Sequence, residues 1–317
     1  MRKLLLLINP LLEERRAGDL RRILAEFRHQ GVEVSIEKTG AKRSAGQRAK
    51  QAAAEGVDAV LACGGDGTVF DILQGMAGSS LPLGIVPFGT GNVLAQNLAI
   101  PKEPAAMARW MLSSRPLLVP LGRVTCCPSG VTTGPQSWYF AMSAGMGMHA
   151  ALMRAARAPA KRTRGRAAYY WAGARLLLRH PLQPFDVEIT TVDRAQLRRR
   201  VCEAVAVRVP ELNLWRPGGA LTSPLLRLVT VEGQSRHGLL RSSLGVLARF
   251  LIRPGRQRPP DNGPIRYEDV TRVICRPIPG RQYRAALEVE ADGEVLDFPG
   301  VTIEMAGVSV NLLAHPS

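Results

Sequence analysis

Two short glycine-rich segments are the part of this sequence best suited to phosphate chemistry. Residues 64–68 read Gly-Gly-Asp-Gly-Thr, and residues 87–92 read Pro-Phe-Gly-Thr-Gly-Asn. Glycine lets a backbone approach a phosphate closely, and the N–H groups at the start of a following helix attract anions. Asp66 could bind Mg²⁺ or accept a proton, and Thr68 could donate to a phosphate oxygen. A tight turn between a strand and a helix would also explain each segment taken alone.

A third segment places two carboxylates close together. Residues 292–294 read Asp-Gly-Glu and separate two short apolar-polar runs, 287–290 and 295–298. This pattern predicts a β-hairpin, in which Asp-Gly is an ordinary turn. The clustered Asp and Glu could also supply a general base, so both interpretations stay open.

The elements around the glycine segments predict where they lie. The predicted strands are 4–8, 32–36, 57–62 and 83–87, and the predicted helices begin at Asp19 and Ser44, span 69–76, and run from about Asn92 to Pro101. Repeated strand–helix units predict a parallel sheet whose ligands bind at the carboxyl ends of its strands. The two glycine segments then lie at one edge of the sheet, which favours a phosphate site over two unrelated turns.

The pattern changes near residue 117, where strand-like segments become predominant. The predicted strands are 117–124, 138–143, 185–192, 201–209, 225–231 and 285–303, and the predicted helices are 149–158, 166–178 and 239–252. The segment 127–134 is predicted to be an irregular loop. This composition predicts a second, mainly antiparallel domain.

The ordered set of motifs resembles the diacylglycerol kinase catalytic domain. The Gly-Gly-Asp-Gly-Thr segment is followed by Leu83–Ala95, which reads Leu-Gly-Ile-Val-Pro-Phe-Gly-Thr-Gly-Asn-Val-Leu-Ala. The sequence is most similar to the bacterial YegS-like lipid kinases, which are related to sphingosine kinases and more distantly to NAD kinases. Three further segments match, Ala144–Gly147, Gly165–Tyr170 and Ala291–Glu294, so the resemblance covers nearly the whole chain.

The resemblance implies an α/β protein of two domains. The first would be a three-layer α/β nucleotide-binding domain with a parallel sheet, over residues 1–120 and rejoined by 307–317. The second would be an antiparallel β-sandwich domain for the lipid substrate, over residues 121–306, with a cleft between the two.

The resemblance also implies an ATP-dependent lipid kinase that uses Mg²⁺ and converts diacylglycerol to phosphatidic acid. Glu294 would accept the proton of the lipid hydroxyl, and Asp66 would lie near the Mg²⁺–phosphate group. A positioned general base contributes about 10²–10⁴-fold to a rate. The residues implied to contact ATP are Thr39, Gly64, Gly65, Asp66, Gly67, Thr68, Thr90 and Asn92. The sequence identifies no set of metal ligands.

Three departures from the family pattern keep other functions open. Phe70 stands where the family often has Asn, His149 where relatives commonly have Asp, and the segment Ser223–Arg227 is shortened at a place where some bacterial relatives bind a structural Mg²⁺. His149 could contact the lipid head group or serve the structure alone. The alternatives are a sphingoid or acylglycerol kinase, an NAD kinase-like enzyme, and a catalytically inactive lipid- or nucleotide-binding protein.

The charge of the chain points to an anionic partner. The sequence contains 42 Lys and Arg against 26 Asp and Glu, a formal net charge of +16. Three basic clusters are Arg154, Arg157, Lys161, Arg162, Arg164 and Arg166; Arg198–Arg200; and Arg249, Arg253, Arg256 and Arg258. They could dock on an anionic membrane surface or form an ordinary solvated face. No nucleic-acid partner is expected, because the clusters lack a zinc-finger or RNP signature.

Two further features suggest where the protein acts. No apolar run approaches the ~18–20 residues that cross a bilayer, and five cysteines without a Cys-x-x-Cys pair fit a reducing compartment. The expected location is cytoplasmic with peripheral membrane association. The lipid substrate is the expected partner, and a homodimer stays open.

Overall fold

The structure, a computed structural model, describes residues 1–40, 44–126, 135–157, 183–212, 217–232, 264–283, 287–296 and 300–315. The described chain forms two compact units. The first unit comprises residues 1–121 with 306–317, and the second comprises residues 122–305. The predicted loop at 127–134, the predicted helices at 166–178 and 239–252, and the motif Gly165–Tyr170 lie outside the described residues.

The first unit alternates strands and helices, as the sequence predicts. Its strands are β1 (Lys3–Ile8), β2 (Glu33–Lys38), β3 (Ala59–Gly64) and β4 (Leu83–Pro87), with the start of β5 (Arg115–Cys126) and the end of β14 (Val301–Ala314). Its helices are α1 (Pro10–Arg15), α2 (Ala17–His29), α3 (Ser44–Ala52), α4 (Asp66–Met76), α5 (Val93–Asn97) and α6 (Pro104–Ser113), with a 3₁₀ turn at Ala53–Glu55.

A parallel sheet is the centre of the first unit. Its strand order is β14–β4–β3–β1–β2, and every neighbouring pair is parallel. The strands β1 and β3 are apolar along their length, and Leu4–Ile8 are at most 1% exposed. Continuous apolar runs are typical of parallel strands with both faces covered, so these two strands take the middle of the sheet. The carboxyl ends of β3 and β4 therefore meet at one edge.

Several helix boundaries differ from the sequence-based expectation: α5 ends at Asn97 rather than near Pro101, and α6 is not among the predicted helices. The predicted helix start at Asp19 is wrong, because α2 begins at Ala17 directly after a short helix that the side chain of Asn9 caps by accepting the Leu11 N–H at 3.0 Å. The helix predicted from residue 69 begins at Asp66 instead. The start of α4 thus includes the Asp-Gly-Thr of the glycine motif.

The second unit is built of antiparallel strands and one described helix. Its elements are the end of β5, β6 (Gln136–Phe140), β7 (Ser143–Gly147), α7 (Met148–Arg157), β8 (Phe185–Thr191), β9 (Gln196–Val207), β10 (Leu226–Glu232), β11 (Ile265–Arg276), β12 (Val289–Ala291), β13 (Glu294–Leu296) and the start of β14. The long strands β9 and β11 each pair with β10 over one half and with β8 over the other. On the other side of β9 lie β7, β12 and β13, in that order.

A pair of glycines sets the packing of α3 against α4. A Cβ added at Gly75 would lie 1.7 Å from the carbonyl oxygen of Gly46, and one added at Gly46 would lie 2.4 Å from the carbonyl oxygen of Asp71. The two backbones are in direct contact here, so neither position has room for a larger residue. This contact supports the helix that carries the first glycine motif.

We expect Gly75→Ala to destabilise the protein, because its methyl group would have to push the α3 backbone away. Overpacking of this kind costs about 1–3 kcal/mol in the free energy of unfolding, which urea denaturation measures directly. The control is Gly18→Ala in α2, where an added Cβ meets nothing within 4 Å. This control should be neutral or stabilising by up to about 1 kcal/mol. Equal stability of the two variants would contradict the prediction.

Candidate functional site

The two glycine loops of the first unit are in backbone contact. The carbonyl oxygen of Gly64 accepts the N–H groups of Phe88 at 2.9 Å and Gly89 at 3.1 Å. A Cβ added at Gly89 would lie 2.5 Å from the Cα of Gly65. Glycine is thus required at this crossing because no side chain fits between the loops. The loop after β3 and the loop after β4 therefore form one continuous surface.

The carboxylate of Asp66 joins the two loops a second time. Its Oδ2 accepts the N–H of Asn92 at 2.8 Å and its Oδ1 accepts the N–H of Val93 at 2.9 Å. A Cβ added at Gly91 would lie 2.6 Å from Oδ2, so this glycine leaves the space that the carboxylate fills. Burial raises the pKa of Asp66, and the N–H groups of Val93 and Asn92 act in the opposite direction.

Asn92 shapes the second loop. Its φ of 52° lies in the left-handed region, which asparagine tolerates better than most residues. Its Nδ2 donates to the carbonyl oxygens of Gly89 at 2.6 Å and Pro87 at 3.2 Å. The asparagine of the motif therefore stabilises the loop from within. In the structure, the side-chain amide of Asn92 thus donates to the backbone of its own loop.

The remaining residues predicted to contact ATP lie at the same edge of the sheet. Thr68 is in the first turn of α4, half-buried, and Thr90 is exposed. Thr39 follows β2 directly, and its N–H donates to the carbonyl oxygen of Ile8 at the end of β1 at 2.8 Å. All eight predicted nucleotide residues thus belong to the first unit. Glu294 belongs to the second unit and has its own surroundings.

Glu294 begins β13 and follows a tight turn. Ala291 pairs with Glu294 across the hairpin, and the two residues between them have positive φ, 47° at Asp292 and 80° at Gly293. Two positive φ values in a two-residue loop define the turn type that Asp-Gly favours. The predicted hairpin turn is therefore present, with the predicted base at its end.

The two carboxylates of the Asp-Gly-Glu segment differ in their surroundings. Asp292 is 4% exposed, and its carboxylate accepts the N–H groups of Ala141 at 2.7 Å, Met142 at 2.7 Å and Ser143 at 2.9 Å. Such a carboxylate holds the backbone together and has little capacity left for a reacting proton. Glu294 is half-buried. Of the two, Glu294 is therefore the better candidate for a general base.

Sequence reasoning missed a group of buried polar side chains beside this turn. Glu290 is fully buried, and its Oε1 lies 3.7 Å from Nε2 of His149. Burial raises the pKa of Glu290 to about 8 and lowers that of His149 to about 4, so both groups are mainly uncharged at pH 7. Glu203, also buried, accepts the backbone N–H of His149 at 3.0 Å. The sequence singles out His149 and the neighbouring Asp-Gly-Glu segment, but neither Glu290 nor Glu203.

A buried arginine holds the shortened Ser223 segment. The guanidinium of Arg208 donates to the carbonyl oxygens of Leu221 at 2.7 Å and Ser223 at 3.1 Å. The side chain is fully buried, which lowers its pKa to about 10. The guanidinium of Arg208 is therefore the cationic partner of the carbonyl oxygens of Leu221 and Ser223.

The described residues limit how Mg²⁺ can bind. Among them, no group of three or more His, Cys, Asp or Glu side chains is arranged to hold a metal ion. Mg²⁺ usually takes one or two carboxylates together with substrate phosphates and waters, and Asp66 at the glycine loops fits that pattern.

Among the described residues, no helix is long and apolar enough to cross a membrane.

Several known proteins are similar to this chain. Residues 3–124 match the family model of the diacylglycerol kinase catalytic domain. A diacylglycerol kinase of Mycobacterium tuberculosis is 39% identical over 102 residues, 32% of this chain and 33% of that protein. A diacylglycerol kinase of Bacillus subtilis is 31% identical over 173 residues, 54% of this chain and 53% of that protein. A probable lipid kinase YegS-like of Chromohalobacter salexigens is 31% identical over 159 residues, 49% of this chain and 48% of that protein.

These alignments span a third to about half of the relatives' own lengths. Solved structures extend the similarity of fold to the whole chain. A crystal structure of a diacylglycerol kinase from Bacillus anthracis has a TM-score of 0.65 at 18% identity, covering 99% of this chain and 97% of the other. Yeast NADH kinase complexed with NADH has a TM-score of 0.50 at 10% identity, covering 100% and 84%. The expected α/β fold is confirmed.

The pKa shifts of Glu290 and His149 predict how stability depends on pH. Above pH 6.5 His149 is neutral whether folded or unfolded, whereas Glu290 keeps a proton up to about pH 8 in the folded chain and loses it near pH 4.5 in the unfolded chain. The folded state then binds more protons, so stability falls as pH rises from about 6.5 to 8. Below pH 6.5 the effect of His149 has the opposite sign and offsets it.

We expect Glu290→Gln to remove this fall, because glutamine does not titrate. Urea denaturation at both ends of the pH interval measures the free energy of unfolding, and its change between the two pH values is compared between the variant and the wild type. The control is Glu188→Gln, on the exposed side of β8, which should keep the wild-type pH dependence. A wild-type and a Glu290→Gln protein with parallel pH profiles would show that the buried carboxyl group does not titrate in this range.

Proposed function

We propose that this chain, whose residues 3–124 match the family model of the diacylglycerol kinase catalytic domain, is an ATP-dependent lipid kinase. The observation that carries the proposal is the closed pair of glycine loops with Asp66 between them, which lies wholly inside the matched segment. Diacylglycerol is the proposed acceptor, because the curated relatives include proteins named diacylglycerol kinase. The reaction would convert the lipid hydroxyl and ATP to a phosphate monoester, ADP and a proton.

The nucleotide is proposed to bind at the edge of the sheet where β3 and β4 end. The glycines at 64, 65 and 67 and the first turn of α4 would contact its phosphates, with Thr68 donating a hydroxyl. Thr39 and Thr90 would contribute further contacts, and Asn92 would shape the loop rather than donate its amide. When bound, Mg²⁺ would neutralise charge on the phosphates. Asp66 is the residue of this chain proposed to hold it.

The acceptor hydroxyl requires a base, because an alkanol is a poor nucleophile at neutral pH. Glu294 is proposed to accept its proton as the oxygen attacks the γ-phosphate, and the leaving group is ADP. Asp292 is not proposed for this role, since its carboxylate already accepts three backbone N–H groups. Phosphoryl transfer otherwise depends on positioning and on charge neutralisation.

The basic clusters are proposed to dock the protein reversibly on an anionic membrane. Arg198, Arg199 and Arg200 contribute little to this, because acidic side chains neutralise them: Glu188 for the first, Glu268 for the second and Asp186 for the third. The proposal therefore depends on the basic runs 154–166 and 249–258, most of which lie outside the described residues.

Incubation of the purified protein with Mg²⁺, γ-labelled ATP and a panel of diacylglycerol, monoacylglycerol, sphingosine and NAD tests the function. We expect label on diacylglycerol and a loss of at least ~100-fold in kcat for Glu294→Gln and for Asp66→Asn, as for losing a base or a metal-side carboxylate. The matched control is Glu211→Gln, an exposed glutamate of the second unit, which should keep wild-type turnover.

Each outcome of the panel identifies a different function. Label on sphingosine or monoacylglycerol would keep the lipid kinase and change the substrate. Label on NAD alone would make the chain an NAD kinase-like enzyme, and nucleotide binding without turnover would make it a binding protein. Full activity in Glu294→Gln would remove the assignment of the base.

Binding to vesicles tests the membrane proposal. We expect vesicles with 30% anionic lipid to bind the protein at low salt and to release it as salt rises, because charge attraction is screened within ~10 Å at 0.1 M. Substituting Lys161, Arg162 and Arg164 together by Gln should weaken binding, whereas substituting Arg198 and Arg200 by Gln should not. Binding that is insensitive to salt would point to apolar insertion instead.

A further inference from the structure

The fully buried side chain of Glu290 contacts three parts of the second unit. Its Oε2 accepts the N–H of Gly293 in the hairpin turn at 2.9 Å. Its Oε1 accepts the hydroxyl of Ser143 on β7 at 3.3 Å and lies 3.7 Å from Nε2 of His149 on α7. A carboxyl group is costly to bury, and an apolar residue would fill the position more cheaply. A role beyond filling space therefore explains its presence better.

The turn that Glu290 contacts is held by side chains of its own unit. Asp292 and Gly293 both have positive φ, in the turn type that Asp-Gly favours. The carboxylate of Asp292 anchors its own residue through the backbone of 141–143. Gly293 has no side chain for this purpose. The bond to Glu290 thus holds the residue that immediately precedes Glu294.

We propose that Glu290 is a positioning residue that fixes the turn between β12 and β13, and with it the backbone of Glu294. This inference rests on the proposed function, in which Glu294 accepts the proton of the acceptor hydroxyl. A general base must be held close to its productive geometry, because small displacements cost large factors in rate. Glu290 touches neither substrate nor nucleotide in this account.

Ser143 and His149 hold Glu290 in turn. The charged or titratable groups that face it are His149 from α7, Glu203 from β9 and Asp292 from its own hairpin. Burial, and after it the charges of the two acidic neighbours, disfavour a negative charge on Glu290 and raise its pKa to about 8, so Glu290 is mainly protonated at neutral pH. A protonated carboxyl accepts on one oxygen and donates from the other. Glutamine has the same shape and the same pair of functions, so it should replace Glu290 with little loss.

Hydrogen exchange at the Gly293 amide tests the inference without any assay of activity. We expect Glu290→Met, which keeps the volume but has only a weak acceptor, to speed exchange at Gly293 by about tenfold or more. Glu290→Gln should stay within about threefold of the wild type, since it retains the acceptor. The control is Glu188→Met on β8, which should leave Gly293 exchange unchanged. Wild-type exchange at Gly293 in Glu290→Met would overturn the proposal.

Ser143→Ala is a second variant that keeps the test decisive if Glu290→Met does not fold. It removes the hydroxyl that holds Oε1 and leaves the carboxyl group in place. Exchange at Gly293 should rise by a smaller factor, about two- to fourfold, because one of the contacts of Glu290 is lost. An unchanged rate in this folded variant would also count against the proposal.

Kinetics with Mg²⁺–ATP and the accepted lipid separate positioning from a purely structural role. Glu290→Met should lower kcat about tenfold or more and leave the KM for ATP within about twofold, while Glu290→Gln restores most of kcat. Wild-type kcat in folded Glu290→Met, or equal losses in both variants, would overturn the positioning role. A wild-type protein that phosphorylates no lipid would end the proposed function instead. Exchange at Gly293 would then still decide whether Glu290 fixes the turn.

Discussion

The carboxylate of Asp66 accepts backbone hydrogen bonds from Asn92 and Val93, and so ties the loop after β3 to the loop after β4. The loops can approach this closely only because glycine stands at 89 and 91, where any side chain would meet the backbone of Gly65 or the carboxylate. Burial makes the charged form of Asp66 costly, and the N–H groups that it accepts offset that cost. The shape of the proposed phosphate site depends on this balance.

The second unit uses a buried carboxylate in the same way. Asp292 accepts the three consecutive N–H groups of residues 141–143, where the chain enters β7, and Glu290 accepts the N–H of Gly293. The hairpin is therefore fastened by side chains on both sides of its turn. In each unit, an acidic residue beside the proposed chemistry accepts backbone hydrogen bonds and so holds the local backbone in place. Glu294 is the carboxylate of its segment that is proposed to take part in the chemistry.

Several arginines of the second unit are already occupied by partners within the chain. Among β8, β9 and β11, arginines of one strand form ion pairs with acidic residues of another, such as Arg199 with Glu268 and Arg200 with Asp186. Exposed pairs of this kind contribute little to stability, but they leave no local excess of positive charge on these strands. Arg208 is enclosed and occupied by carbonyl oxygens. The proposed attraction to an anionic surface therefore depends on the basic runs 154–166 and 249–258.

Local pattern in the sequence determined the alternation of strands and helices, the parallel sheet, the antiparallel second unit and the meeting of two glycine loops at one edge. These follow from the spacing of apolar residues and from turn chemistry, which act over a few residues. Tertiary structure alone decided that Asp66 bridges the loops and that Glu290 is buried. Alternation with Val289 and Ala291 places Glu290 on the polar side of a strand, yet β7 and α7 cover that side. Burial depends on contacts between distant segments, and a pattern within one strand carries no information about them.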